Sequence, residues 1–293
     1  MFVRRFTIPA VLVATAAALG SAAPATSAPA TPTLVAVRAA HHPTFDRLVF
    51  EFDGALPGHS VTRATKIIGD GSGLPVPVVG SSFLAVRFSP AVGHDNAGKV
   101  TYGATRRSYA LPAIIQVVNS GDFEAVLSFG VGLSTAAPFS VFTLTNPSRV
   151  VIDVKTAFQT VTVKTYFLDQ NRFAVGTEPY VRAVTRPVIP PATAKGALQR
   201  LFAGPTAGEA ATGLRLVTSD ATGFSNLSIS NGIARVRLVG GCNSHGSTFT
   251  VAGEIMPTLK QFSSVTWVKI YDPSGTTENP TGNSDSIPEC LEP

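Results

Sequence analysis

Pro191-Ala-Thr-Ala-Lys-Gly-Ala-Leu-Gln-Arg-Leu-Phe-Ala-Gly-Pro-Thr-Ala-Gly-Glu-Ala-Ala-Thr-Gly213 is the stretch around which the C-terminal half of this chain is organised. Ala194, Ala197, Leu198, Leu201 and Phe202 recur at i, i+3, i+4, i+7 and i+8, which puts one apolar stripe on a helix of about two to three turns. Thr193 is expected to cap its start, Gly204 to end it in a left-handed conformation, and Pro205 to forbid any continuation. A helix this short costs more to nucleate than it returns alone, so the stripe must lie against a sheet or another helix.

The flanks supply that sheet. Val161 to Leu168 alternates and meets a turn at Asp169-Gln170-Asn171, and Tyr180 to Arg186 reads as a second strand that Pro190-Pro191 delivers to the helix. Beyond it come Leu214 to Val217, then Asn226 to Ser230 and Ile233 to Val239, joined by Asn231-Gly232, among the strongest short hairpin signals. Val251, Ala252, Ile255 and Leu259 predict a second helix, kinked or restarted at Pro257, before a strand from Val265 to Ile270. Strands alternating with two helices imply a small α/β domain over residues 157–293, with both helices on one face of a mixed sheet.

Residues 31–156 read differently. Leu48 to Phe52, Phe83 to Phe88, Ile114 to Val118, Phe123 to Phe129 and Arg149 to Val154 have period-two character with β-branched and aromatic residues. Turn signals separate them at Pro57-Gly58, Gly69 to Gly73, Asn119-Ser120-Gly121-Asp122 and Asn146-Pro147. No helical period of useful length intervenes, so this part is expected to be an antiparallel β-sandwich of about seven to nine strands. Val154 to Thr160 leaves little room for a flexible linker between the two parts.

The chain of 293 residues suffices for two cores, and its 44% hydrophobic against 14% charged content excludes general disorder. Residues 1–30 have a signal-peptide layout: Arg4-Arg5, an apolar run from Ile8 to Leu19, then a small-residue, Pro-rich segment. That run is too short to span a bilayer, so the expected mature protein is secreted, without a transmembrane helix. The formal charge of +5 is scattered along the chain, with no basic patch of the kind nucleic acid requires. Cys242 and Cys290 are the only cysteines. In an oxidising compartment they are expected to pair, closing a loop whose constraint is worth roughly 4 kcal/mol on the chain-entropy model.

Chemistry-bearing patterns are sparse. His41, His42, His59, His94 and His245 form no metal-ligand spacing, and there is no nucleophile elbow, Walker loop or dinucleotide fingerprint. Asp70-Gly71-Ser72-Gly73 has too few oxygen ligands for calcium and reads as a tight turn. Neither a cofactor nor a metal is expected. Trp267 reads as strand packing rather than a sugar platform.

Phe45 to Phe50 with Gly54 and Pro57-Gly58, Asp70 to Gly73, Gly121 to Glu124, Gly130 to Leu133 and the closing Asn146-Pro-Ser-Arg-Val-Val-Ile-Asp-Val154 resemble the AMIN-like domain of secreted actinobacterial proteins. Tyr166 to Leu168, Arg182 to Val184, Ala197 to Thr206 with Glu209 and Gly213-Leu214, Asn231 to Ala234, and Thr258-Leu259 ahead of Phe262 to Val265 are similar to the GerMN domain of sporulation and germination proteins. This chain departs from that pattern at Met256-Pro257, in its cysteine pair and in the long loop from Asp272 to Glu289. The resemblance implies a non-catalytic cell-envelope protein, with the first domain associating with peptidoglycan and the second contacting an unidentified envelope protein. The zinc amidase that often accompanies AMIN domains would need His and Glu ligands that are missing here.

Arg149 and Asp153 share one strand face, four residues apart, and Arg47 is within reach on a neighbouring strand. These three are the candidate ligand-binding residues, for a glycan or a stem-peptide carboxylate, with structural pairing of the arginines as the alternative. The competing functional readings are a secreted cell-wall hydrolase with a site at the domain junction and a self-associating structural subunit.

Overall fold

From Phe45 to Asp53 every second side chain is buried, and the buried set, Asp46, Leu48, Phe50 and Phe52, defines the inner face of a sheet. A computed structural model describes residues 1–2 and 30–293. Apart from those residues, the signal peptide expected over residues 1–30 lies outside the described part.

Nine strands form the N-terminal part: β1 (Thr33–His42), β2 (Phe45–Asp53), β3 (Gly58–Ala64), β4 (Ser82–Ser89), β5 (Arg106–Ser108), β6 (Ile114–Phe123), β7 (Val126–Leu133), β8 (Phe139–Leu144) and β9 (Ser148–Lys155). They make two antiparallel sheets, ordered β1-β2-β9-β8 and β3-β4-β7-β6-β5. Inner residues of both sheets share one core, so this is the expected sandwich. Its centre is aromatic. Phe50 lies 5.0 Å from Phe88 and 5.1 Å from Phe129, in tilted arrangements that favour ring edges over ring faces.

One turn is displaced from its expected place. Asn119 to Asp122 stays within β6, where the register shifts between Asn119 and Gly121, and the reversal falls on Glu124-Ala125, with φ of 50° and 56°. Gly121 is needed for close packing: a Cβ there would meet the Asp70 side chain at 2.5 Å. The turn chemistry at this point marks a bulge rather than a hairpin end.

The C-terminal part contains β10 (Val161–Asp169), α1 (Gln170–Ala174), β11 (Val181–Val188), α2 (Thr193–Ala203), α3 (Ala207–Ala211), β12 (Leu214–Arg215), β13 (Ala221–Ser230), β14 (Ile233–Gly240), α4 (Ala252–Lys260) and β15 (Trp267–Tyr271). The α/β character holds, with the strands divided between two sheets. One is antiparallel, β11-β10-β12; the other, β13-β14-β15, is mixed, with β14 and β15 parallel. Helices α2 and α4 pack on each other and on β10.

The α2 stripe is buried as its spacing requires. Its start differs from expectation: Ala192, not Thr193, is the N-cap, and no side chain caps it. Gly204, at φ 89°, ends it. The capping threonine is Thr206, which with Glu209 forms a reciprocal capping box and starts α3, a helix the apolar stripe did not announce. Asp169-Gln170-Asn171 likewise opens the short α1, capped by the Asp169 side chain. Pro257 sits inside α4, which runs through it as one helix. Asn231-Gly232 makes its hairpin with φ of 51° and 76°.

Cys242 and Cys290 are disulfide-bonded across a sequence separation of 48. The long loop after β15 is strapped down by the fully buried Lys269, whose Nζ donates to the carbonyls of Asn279 (2.6 Å) and Thr281 (3.0 Å). Ser286 continues the strap, exchanging backbone bonds with Val268 and Ile270 on the outer edge of β15.

The two parts meet along α2. Arg200, 2% exposed, donates to the carbonyls of Tyr109 (3.2 Å), Leu111 (2.6 Å) and Pro112 (3.2 Å) in the sandwich. From the other side the Asp46 carboxylate accepts from the amides of Ala113 (2.6 Å) and Ile114 (3.0 Å). Gln199 donates to Ser81, and Ser108 and Gln116 both donate to the Ala203 carbonyl at the end of α2. Burial, with a lesser contribution from the neighbouring Arg186 charge, pulls the Arg200 guanidinium down to about 9.

Candidate functional site

The outer face of β1-β2-β9-β8 carries the residues left over by the alternation that builds the core. Arg47 stands opposite Asp153 in the β2–β9 register, and the two form a bidentate pair with both N–O distances at 2.8 Å. The Asp153 hydrogen bond raises the Arg47 pKa above the usual guanidinium value, fixing its charge. The Arg47 guanidinium also lies 5.0 Å from the Phe45 ring centre and 5.2 Å from that of Phe142 on β8. His42 extends the series, its ring 4.6 Å from that of Phe45 with the planes at 20°. Four planar groups, His42, Phe45, Arg47 and Phe142, therefore stack across three strands on a sheet face, all half-buried.

Of the three residues singled out in the sequence, the structure brings two together. Arg149 faces Glu51 across the β2–β9 register, about 13 Å along the strand from Asp153, and its guanidinium reaches only back to the Pro147 carbonyl at 3.3 Å. Phe45 was visible two residues before Arg47. Phe142 carried no such signal, because β8 is short and its place beside β9 is set by a long-range pairing.

The histidines disperse. His41 bonds Asp46 (2.7 Å), His94 bonds Asp122 (2.8 Å), and His245 bonds Asp220 (3.0 Å). Among the described residues no three His, Cys, Asp or Glu side chains gather as metal ligands. Hollows lie where the parts meet, and two of them are more than twice the 180 Å³ of a third, between Ser81, Ser134 and Ala192. One, about 470 Å³, runs between Val78 to Gly80 and the β13 segment from Thr222 to Leu227. The other, about 560 Å³, lies between Arg106 to Ala110 and the segment from Ala203 to Ala210. Neither is lined by a histidine or a carboxylate. Among the described residues no helix is long and apolar enough to cross a membrane.

Fold and site together define a β-sandwich with a stacked aromatic–arginine face, fused to a small disulfide-bonded α/β unit. Residues 32–156 match the family model of the AMIN-like domain, and residues 164–271 match that of the sporulation and spore germination domain, so the chain carries an AMIN-like domain followed by a Germane domain. No curated protein and no solved structure matches it. The two domains fit a cell-envelope or sporulation-related role, and neither is a known catalytic domain. AMIN-like domains are generally linked to peptidoglycan binding, and this one, with the disulfide, points to an extracytoplasmic protein.

Proposed function

We propose that this is a secreted, non-catalytic cell-envelope protein whose sandwich associates with peptidoglycan through the His42–Phe45–Arg47–Phe142 face, while its Germane domain contacts a protein partner. The observation carrying this reading is the stack itself. The stacked side chains form an apolar ridge against which the apolar faces of sugar rings can pack, and the Arg47–Asp153 pair offers a fixed donor and acceptor to their hydroxyls. A flat face accommodates a polymer that passes through, whereas an enclosed pocket would demand a chain end. Arg149, further along the strand, would meet a carboxylate on the same polymer.

Pelleting of the protein with insoluble peptidoglycan tests this. Co-sedimentation without release of soluble muropeptides is expected, and the Phe45→Ala/Phe142→Ala double variant should weaken it by about tenfold, equivalent to about 1.4 kcal/mol. Arg47→Ala/Arg149→Ala should weaken it as well. Unchanged pelleting of both variants would remove this face from the interaction, and released muropeptides would replace the reading with a hydrolase.

A further inference from the structure

The 560 Å³ hollow between the two parts has a lining of one character and a rim of another. Small apolar residues line it: Ala203 is buried, Pro205 half-buried, and Ala104, Ala110, Ala207 and Gly208 exposed, with Leu216 beside them. The volume lies within the range of small-molecule sites, roughly 300–1,000 Å³. Of the polar side chains among its walls, the Tyr109 hydroxyl is buried without a hydrogen-bond partner, while the serine and threonine are engaged. Ser108 donates to the Ala203 carbonyl, and Thr206 accepts from Glu209 in the α3 cap. The hollow thus offers mainly apolar surface to pack against, with the Tyr109 hydroxyl as an unpaired polar group beside it.

The rim is cationic. Arg106 and Arg107 both border the hollow, with no carboxylate among the lining residues. Arg106 bonds only the neutral Gln116 amide (3.0 Å), and Arg107 only the backbone carbonyls of Tyr102 and Ala104. Partial burial without a compensating acid lowers the Arg106 pKa. Among the described residues neither arginine has an acid partner, and the remaining guanidinium N–H groups suit a planar or tetrahedral oxyanion.

We infer that this junction hollow binds a single-chain anionic amphiphile, with the alkyl chain on the Ala203–Ala210 floor and a phosphate or carboxylate head at Arg106 and Arg107. The site is separate from the sandwich face, so the two readings stand or fall independently.

Isothermal titration of the full-length protein with decyl phosphate, below its micelle concentration, is the direct test. One-to-one binding is expected, with decyltrimethylammonium at least about tenfold weaker. Gly208→Trp adds bulk to the lining at a position where a Cβ meets nothing within 4 Å, and should weaken binding by at least about tenfold at an unchanged melting temperature. Arg106→Gln should weaken decyl phosphate by about tenfold while leaving decanol untouched, and Arg47→Ala should change neither. Equal binding of the anionic and cationic amphiphiles, or full binding by Gly208→Trp, would overturn the assignment. So would capture of an apolar peptide carboxylate such as acetyl-Gly-Ala-Phe in preference to decyl phosphate.

Discussion

The sandwich and the α/β unit solve the problem of a small core in different ways. In the sandwich the centre is a cluster of rings, Phe50, Phe52, Phe88, Phe129 and Tyr102, packed edge to face. In the α/β unit the buried centre includes the ionisable side chains of Arg186, Arg200, Glu254 and Lys269, each engaged with backbone or with a partner across the fold. Apolar packing is non-directional and tolerates repacking, whereas a buried charge stabilises only while every partner stays in place. The sandwich should therefore fail by cavity, and the α/β unit by loss of a single hydrogen-bonded strap.

The largest effect expected follows from Phe50→Ala, which should cost about 3–5 kcal/mol in chemical denaturation. A loss below about 1 kcal/mol would mean the ring cluster is not the seat of sandwich stability. Lys269→Met comes next. It keeps the volume but leaves the Asn279 and Thr281 carbonyls without their donor, at about 1–3 kcal/mol. Hydrogen exchange should accelerate from Thr276 to Ser286 and stay unchanged in the sandwich; uniform acceleration would erase the contrast between the two parts.

Glu254 supplies a pH dependence of definite sign. Its carboxyl is fully buried, and desolvation pushes its pKa well above the usual carboxylate range despite the amides of Leu168 (2.8 Å) and Val217 (3.0 Å) that it accepts from. The folded state then holds a proton that the unfolded state, near pKa 4.3, has released. The contribution is greatest below about pH 4.3 and falls as pH rises toward the folded value. Thermal melts of Glu254→Gln should lack that decline, so its deficit against the parent protein narrows from pH 4 to pH 7; a constant difference would show that this group does not titrate between them.

The smallest effect is a gain. Ala125 holds φ of 56° in the β6–β7 turn, and Ala125→Gly should stabilise by up to about 1 kcal/mol, visible as a raised melting temperature.

That turn also explains what the sequence could and could not convey. Asn231-Gly232 names its own conformation, because both residue types accept positive φ. Glu124-Ala125 does not, since its geometry is imposed by the pairing of Phe123 with Val126 and by Asp70 pressing on Gly121. The α2 stripe and the alternation of β2 were legible because local periodicity and tertiary burial agree. The Thr206-x-x-Glu209 box is just as local a signal, but the helix it starts is five residues long and buries none of them, so no apolar stripe accompanies it. The stacked face was half-legible: Arg47, Asp153 and Phe45 lie on strands with strong alternation, whereas Phe142 joins them only through the β8–β9 register. The junction hollow left no mark in either half, being a property of the seam.

Arg200, inserted from α2 into the backbone of the sandwich, has a mechanical corollary. Pulling the two domains apart would break the guanidinium's bonds to three carbonyls at once, so the pair resists tension as a single stiff strut. Anything bound by one domain is thereby held at a set spacing and angle to anything bound by the other.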